Sequence, residues 1–418
     1  MSNATLTASR AVRTTTVVAL GLLVASLAAQ GGGDGGDRSD ELRRAIVGGP
    51  ARNIFLFIGD GMGDSEITLA RNYAVGPGGR LAMDRLPFTG SYTTYSIRED
   101  NPALPDYVPD SAATATAWAT GQKTSNGRIS TSAGDDRDLP TILEIAQERG
   151  YRTGDVTTAE LTDATPAALG AHVTHRSCEG PADMKACPKD LKEAGGPGSI
   201  AEQLIAHKID VLFGGGYDRF DQRTEAGPLV VQEAVAAGYR IVSATAGLEY
   251  AGAGHRLLGL FAPANMTTEW TGPEATPYPS NVKTPQACKQ DHRPAAEPSL
   301  AEMTTKAIAL LDRPAVAGPG FFLQVEGASI DKQDHSANPC GQIGETVAFD
   351  RAIRVGLDFA AAHPDTLIIV TADHAHASQI VPIPTDADHP AGLVSVLMTP
   401  ANVPMAVSYA TNAYHRSQ

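Results

Sequence analysis

Three apolar runs in this 418-residue chain end in residues that ligate metals or move protons. Asn53-Ile-Phe-Leu-Phe-Ile58 leads into Gly59-Asp60-Gly61-Met62-Gly63. Phe321-Phe-Leu-Gln-Val325 leads into Glu326 and then Asp331-Lys332-Gln-Asp-His335, and Thr366-Leu-Ile-Ile-Val-Thr371 into Ala372-Asp373-His374-Ala375-His376. A lone aspartate after a strand is usually a turn or a helix cap. Three such clusters together point to one ligand-rich edge. Asp331 and His335, at i and i+4, share a helical face, a spacing that suits two ligands of one ion. Asp373 and His374 offer an adjacent carboxylate and imidazole. Mixed oxygen and nitrogen donors without thiolate favour Zn²⁺, and oxygen-only sets favour Mg²⁺. Glu326 and the Thr165 hydroxyl fit the second kind. His376 reads as a residue that orients a ligand.

A nucleophile stands elsewhere in the chain. In Val108-Pro-Asp110-Ser111-Ala-Ala-Thr-Ala-Thr-Ala, Ser111 opens an Ala-rich helix and Asp110 precedes it. N-capping explains such a pair on its own. A helix N-terminus also binds phosphate and favours an alkoxide over a neutral hydroxyl. Beside zinc, a serine so placed attacks at moderate pH.

The elements that must position these groups alternate along the chain. Strands are expected at Asn53–Ile58, Tyr151–Thr157, Asp210–Phe213, Tyr239–Val242, Phe321–Val325 and Thr366–Thr371, and helices at 112–120, 140–149, 199–207, 300–311 and 345–362. That alternation predicts an α/β fold with a large, mainly parallel central sheet and helices on both faces. Ligands of such open sheets bind beyond the carboxyl ends of the strands. Residues 263–298 carry seven prolines and read as a long excursion over the surface.

Lys and Arg total 33 against 47 Asp and Glu, a formal charge of −14. That balance argues against nucleic acid or an anionic membrane as partner, but not against a small anion met by local cations. Arg10 and Arg13 precede the apolar run Val17–Ala29, so residues 1–29 read as a secretory signal and the protein as secreted or periplasmic. The run is too short for a membrane anchor. Residues 30–48 read as a flexible leader, and 49–418 as one domain. Cys178, Cys187, Cys288 and Cys340 contain no Cys-x-x-Cys pair. In an oxidising compartment they allow three pairings, of which 178–187 with 288–340 is the simplest.

Five segments carry a resemblance: Gly59-Asp-Gly-Met-Gly-Asp-Ser-Glu66, Asp110-Ser-Ala-Ala-Thr-Ala115, Thr162-Asp-Ala-Thr-Pro-Ala-Ala168, Val325–His335 and Thr371–Ser378. In order, over about residues 50–390, they resemble the motifs of bacterial alkaline phosphatases of the secreted type, and both disulfide positions fit. The resemblance implies hydrolysis of small phosphate monoesters through a phosphoserine, two Zn²⁺ and one Mg²⁺ per chain, and a homodimer. By motif, Asp60 bridges magnesium and one zinc. Asp373 and His374 complete that zinc beside Ser111, and Asp331 and His335 hold the other. Thr165 and Glu326 hold magnesium, with Asp163 just outside it. Arg176 grips the phosphate, oriented by Asp110, and Lys332 reaches it through water.

One departure stands out. The family's C-terminal His-Thr-Gly, which supplies a further zinc ligand, has no match in Ser408-Tyr-Ala-Thr-Asn-Ala-Tyr-His415-Arg-Ser-Gln418. The expectation is a domain truncated at its C-terminus, with His415 as the candidate replacement. An impaired phosphate- or metal-binding homologue is the competing reading.

Overall fold

The computed structural model describes residues 50–410 except 253, 291 and 314–317. The expected signal, leader and His415 lie outside the described residues.

The strands of the two larger sheets are β1 (Asn53–Gly59), β2 (Arg152–Glu160), β3 (Val211–Gly215), β4 (Tyr239–Val242), β5 (Arg256–Leu260), β6 (Thr276–Pro277), β7 (Phe321–Gly327), β8 (Thr366–Ala372), β9 (Ser378–Val381), β10 (Leu393–Met398) and β11 (Pro404–Tyr409). Seven form the central sheet in the order β8-β1-β7-β2-β3-β5-β4, with every neighbouring pair parallel. Continuous apolar runs form such strands where both faces are covered, as in β1 and β7, while the edge strand β8 leaves Leu367 and Ile369 partly exposed. In β1, Leu56 and Ile58 enter one core while Phe55 and Phe57 enter the other, as the two-residue side-chain period requires.

Six helices matter to the site: α1 (Asp64–Ala74), α2 (Ser111–Thr120), α3 (Ala164–Gly170), α4 (Leu300–Leu311), α5 (Ser329–His335) and α6 (Pro339–Ala362). The small residues of α2 and α3, among them Ala112, Ala115, Ala164 and Ala168, fill the core on the Leu56 face. Met303 and Ala307 of α4 and Phe349 and Ile353 of α6 fill the core on the Phe57 face. Helices therefore cover both faces. A reciprocal cap between Ser299 and Glu302 fixes where α4 begins. No helix among the described residues is long and apolar enough to cross a membrane.

Residues 263–298 run mainly over the surface, as expected, with little regular structure, and are pinned at a few buried positions, among them Met266, Trp270, Ala275 and Val282. Trp270 is buried against Tyr73, with ring centroids 6.1 Å apart. A Cβ on Gly344 of α6 would come within 2.5 Å of the Trp270 ring, so the indole sits directly on that helix. Within the segment, β6 pairs with β10 in a second, antiparallel sheet of order β9-β11-β10-β6.

Cys288 bonds Cys340 and ties this segment to α6, while Cys178 bonds Cys187. The enclosed loops differ in length, so the two bridges should differ in worth. Replacing both Cys288 and Cys340 by Ser should lower stability by about 4 kcal/mol, and the 178/187 double variant by roughly 2.5 kcal/mol. Urea unfolding against the oxidised wild type checks the order, and a larger loss at the shorter loop would contradict it.

Candidate active site

The sheet brings the sequence clusters level. Ile58 of β1 pairs with Glu326 of β7 on one side and with Thr371 of β8 on the other. Asp60, Glu326 and Asp373 therefore leave the same edge within two residues of one another. Gly61 makes the turn after β1 possible. Its φ is +65°, its N–H donates to Asp373 Oδ1 at 3.0 Å, and a Cβ there would meet Asp331 at 3.0 Å. Asp373 is fully buried and also accepts from the Thr114 hydroxyl at 3.1 Å. Thr114 lies one turn along α2 from Ser111, a partner that sequence spacing does not reveal.

Ser111 is the first residue of α2, capped by Asp110, whose Oδ1 accepts from the Ala113 N–H at 3.0 Å. The buried Ser111 Oγ lies 3.4 Å from Asp60 Oδ1 and 3.5 Å from His374 Nε2. His374 Nδ1 stands 3.0 Å from the Ala375 carbonyl, which can only accept, so the proton sits on Nδ1. Nε2 is then a lone pair facing Asp60 Oδ1 at 3.4 Å, Asp373 Oδ2 at 3.5 Å and Asp331 Oδ1 at 3.8 Å. That tautomer is the one a metal ligand needs.

A second donor group gathers on Asp331. Its Oδ1 lies 3.4 Å from His335 Nε2, one turn along α5, and 3.5 Å from His376 Nε2, and the two rings stand 4.6 Å apart. Asp60, Asp331 and His374 form one cluster of donor atoms, and Asp331, His335 and His376 another. His376, read from the sequence as orienting a ligand, stands among the donors themselves.

The cations gather on Asp163. This residue caps α3, and its two oxygens accept from Arg176 Nη2 at 2.7 Å and Lys332 Nζ at 2.6 Å. Burial alone would raise the Asp163 pKa, but Lys332 and Arg176 hold it far below the carboxylate range. Arg176 also meets Asp110 Oδ2, at a longer 3.5 Å. Asp163 is thus the main anchor of Arg176, where the sequence pointed to Asp110. With both oxygens engaged by cations, Asp163 stands outside the two donor clusters.

Glu326 is buried and accepts from the Thr157 hydroxyl at 2.5 Å. Burial, then the charge of Asp163, pushes its pKa up to about 8. Asp60 is pushed well up by burial first and by Asp373, Asp331 and Glu326 next. Four carboxylates this close and this dry cannot all ionise without cations among them. Asp331 Oδ1 is buried with no hydrogen bond, and the buried Thr165 hydroxyl beside Glu326 makes none of good geometry. Nitrogen and oxygen donors around Ser111, with oxygen donors around Glu326, fit zinc and magnesium respectively.

Gly61→Ala tests how closely this edge is fitted. The added methyl is strained at φ +65° and displaces Asp331. Stability should fall by about 1 kcal/mol, and zinc affinity by tenfold or more in a chelator competition titration. Unchanged affinity would show that the turn does not position Asp331.

The alkaline phosphatase family model matches residues 51–418. Streptomycin-6-phosphate phosphatase of Streptomyces griseus is 55% identical over 372 residues, covering 87% of this chain and 81% of that protein. Alkaline phosphatase of Escherichia coli is 51% identical over 385 residues, covering 90% and 80%. Among solved structures, alkaline phosphatase from the Antarctic bacterium TAB5 superposes with a TM-score of 0.64 at 25% identity, covering 86% of this chain and 91% of that one. The Thermus thermophilus enzyme gives 0.62 at 28%, covering 83% and 64%. The strand-end carboxylates, the serine at a helix start and the matched family model agree: the chain belongs to the alkaline phosphatase family and is a metal-dependent phosphate-monoester hydrolase.

Proposed function

We propose that Ser111 is the nucleophile of this hydrolase. One observation carries the reading: Ser111 Oγ lies within 3.5 Å of both Asp60 and His374, at the N-terminus of α2. Its hydroxyl gives up its proton, its oxygen bonds to phosphorus as the ester P–O bond breaks, and the departing alkoxide takes a proton. Water then attacks the phosphoserine, loses a proton and releases phosphate, restoring the serine. Two displacements give net retention at phosphorus.

Arg176 matches two phosphate oxygens with its planar fork, and Lys332 adds a second positive charge. Asp163 holds both at fixed positions before substrate arrives. Asp60, Asp373 and His374 would hold one zinc, and Asp331, His335 and His376 the other, three donors without calling on His415. Thr165 and Glu326, with Asp60, would hold magnesium. Such ions, when bound, stabilise the attacking and leaving oxygens and lower the pKa of water. Recognition through the phosphate gives broad tolerance of the alcohol, a range that includes the streptomycin 6-phosphate named for one relative. The donor set favours the active enzyme over the impaired binding protein. Export through residues 1–29, one domain over 49–418 and a homodimer complete the proposal. Two disulfides accord with an oxidising compartment.

Ser111→Ala should keep zinc content and lower p-nitrophenyl phosphate turnover by several orders of magnitude, with no phosphoserine trapped from ³²P-phosphate at low pH. Wild-type turnover in the variant would remove Ser111 from the mechanism. Arg176→Ala should raise KM and the inhibition constant of phosphate more than it lowers kcat, because the metals still stabilise the transition state. Equal phosphate inhibition of both forms would show that Arg176 does not grip the substrate.

A further inference from the structure

A third group of donors lies away from the active site, where three chain segments meet. Glu144 belongs to the helix Ile142–Glu148, His172 follows α3, and His207 ends the helix Ile200–Ala206. Their ligating atoms lie within 4.8 Å of one another. Glu144 divides its carboxylate. Oε2 accepts from the Thr141 N–H at 2.8 Å and closes the helix cap, which leaves Oε1 turned toward the imidazoles. His172 Nε2 stands 3.1 Å from Oε1, and His207 Nε2 stands 3.7 Å from the same atom.

The tautomer of His172 follows from its other nitrogen. Nδ1 lies 2.9 Å from the Ser130 carbonyl, which only accepts, so Nδ1 carries the hydrogen. In the neutral ring Nε2 is then a lone pair pointing at a carboxylate oxygen, two acceptors in contact. Something positive must lie between them. A proton serves for this pair alone. His207 Nε2 brings a third donor to the same carboxylate oxygen.

Two imidazoles and one carboxylate oxygen, with a backbone carbonyl behind one imidazole, make a zinc donor set with its supporting shell. Side chains of Glu144 and His207 are 23% and 24% exposed, so water can fill the fourth position. We propose that Glu144, His172 and His207 form a metal site separate from the catalytic centre, taking Zn²⁺ with water as the fourth ligand. Its effect is structural. His172 lies between α3, which Asp163 caps, and Arg176, so an ion there ties the segment carrying the phosphate clamp to two neighbouring helices.

His207→Ala is the informative variant, because His207 is partly exposed and touches none of the catalytic residues. Full-length wild type and variant are equilibrated with micromolar Zn²⁺, desalted and assayed for metal by mass spectrometry, and melting is followed with and without added Zn²⁺. The variant should hold one zinc fewer per chain and lose part of the zinc-dependent rise in Tm, while turnover with saturating metals stays at the wild-type level. His172→Gln, which retains a polar group near Ser130, should show the same missing zinc. Equal zinc content and equal Tm response in wild type and His207→Ala would overturn the site, leaving Glu144 and His172 as a pair sharing a proton.

Discussion

Like charges forced together out of water are the constraint around which this molecule is built. Asp60, Asp331, Asp373 and Glu326 are all buried, and three of them raise the pKa of the fourth, Asp60, after burial itself. In a low-dielectric interior such repulsion is strong, and a loose scaffold would relieve it by moving apart. The parallel sheet prevents that. β1, β7 and β8 are locked in one register, and Phe55 and Phe321 pack edge to face at 5.2 Å across two of those strands. The Gly61 N–H and the Thr114 and Thr157 hydroxyls answer part of the negative charge. The remainder is a standing attraction for divalent cations, which makes metal affinity a product of the fold.

The cationic side of the site follows the same logic with the sign reversed. Arg176 and Lys332 converge on one small volume and would repel each other. Asp163 takes one bond from each, so both are held side by side. In the proposed phosphate-binding role, a dianion would meet groups already oriented, with no side-chain search before binding. Asp110 plays the smaller part, divided between capping α2, accepting from Gly127 and a long contact with Arg176.

How much of this was legible depended on whether the signal was local. The apolar runs of β1, β7 and β8 and the capped start of α4 are written in consecutive residues, and so are the acids that follow those strands. The i,i+4 pairing of Asp331 with His335 is local too. Asp163's role is not, since its partners lie 13 and 169 residues away. The five-residue β5, ending in Gly259 and Leu260, was not foreseen, and neither was the eleven-residue α1, whose buried face includes the charged Glu66. The strands β9, β10 and β11 form by pairing with one another and with β6, over a hundred residues earlier. Proline density marked 263–298 as a surface segment but did not reveal where it is anchored. Trp270 is one such point: a segment without regular structure can still send a side chain into the core, held there by an aromatic contact and a disulfide nearby.

The second sheet also bears on the donor cluster around Asp331. α5, which carries Asp331 and His335, is only seven residues long, and a helix that short does not hold its shape alone. Its position must come from what surrounds it. On one side it packs along α6, itself tied to the proline-rich segment by Cys340. On another, Asp334 of α5 is buried close to Glu66 of α1 and Tyr409 of β11. Burial, then Glu66 and Asp331, pushes the Asp334 pKa well up. Glu66 in turn accepts from the Ser378 hydroxyl at the start of β9, two residues beyond His376. One buried cluster therefore braces both sources of the second donor group, α5 and the strand that follows His376. The antiparallel sheet lies apart from the central one, yet through this cluster it fixes the distance between His335 and His376 around Asp331.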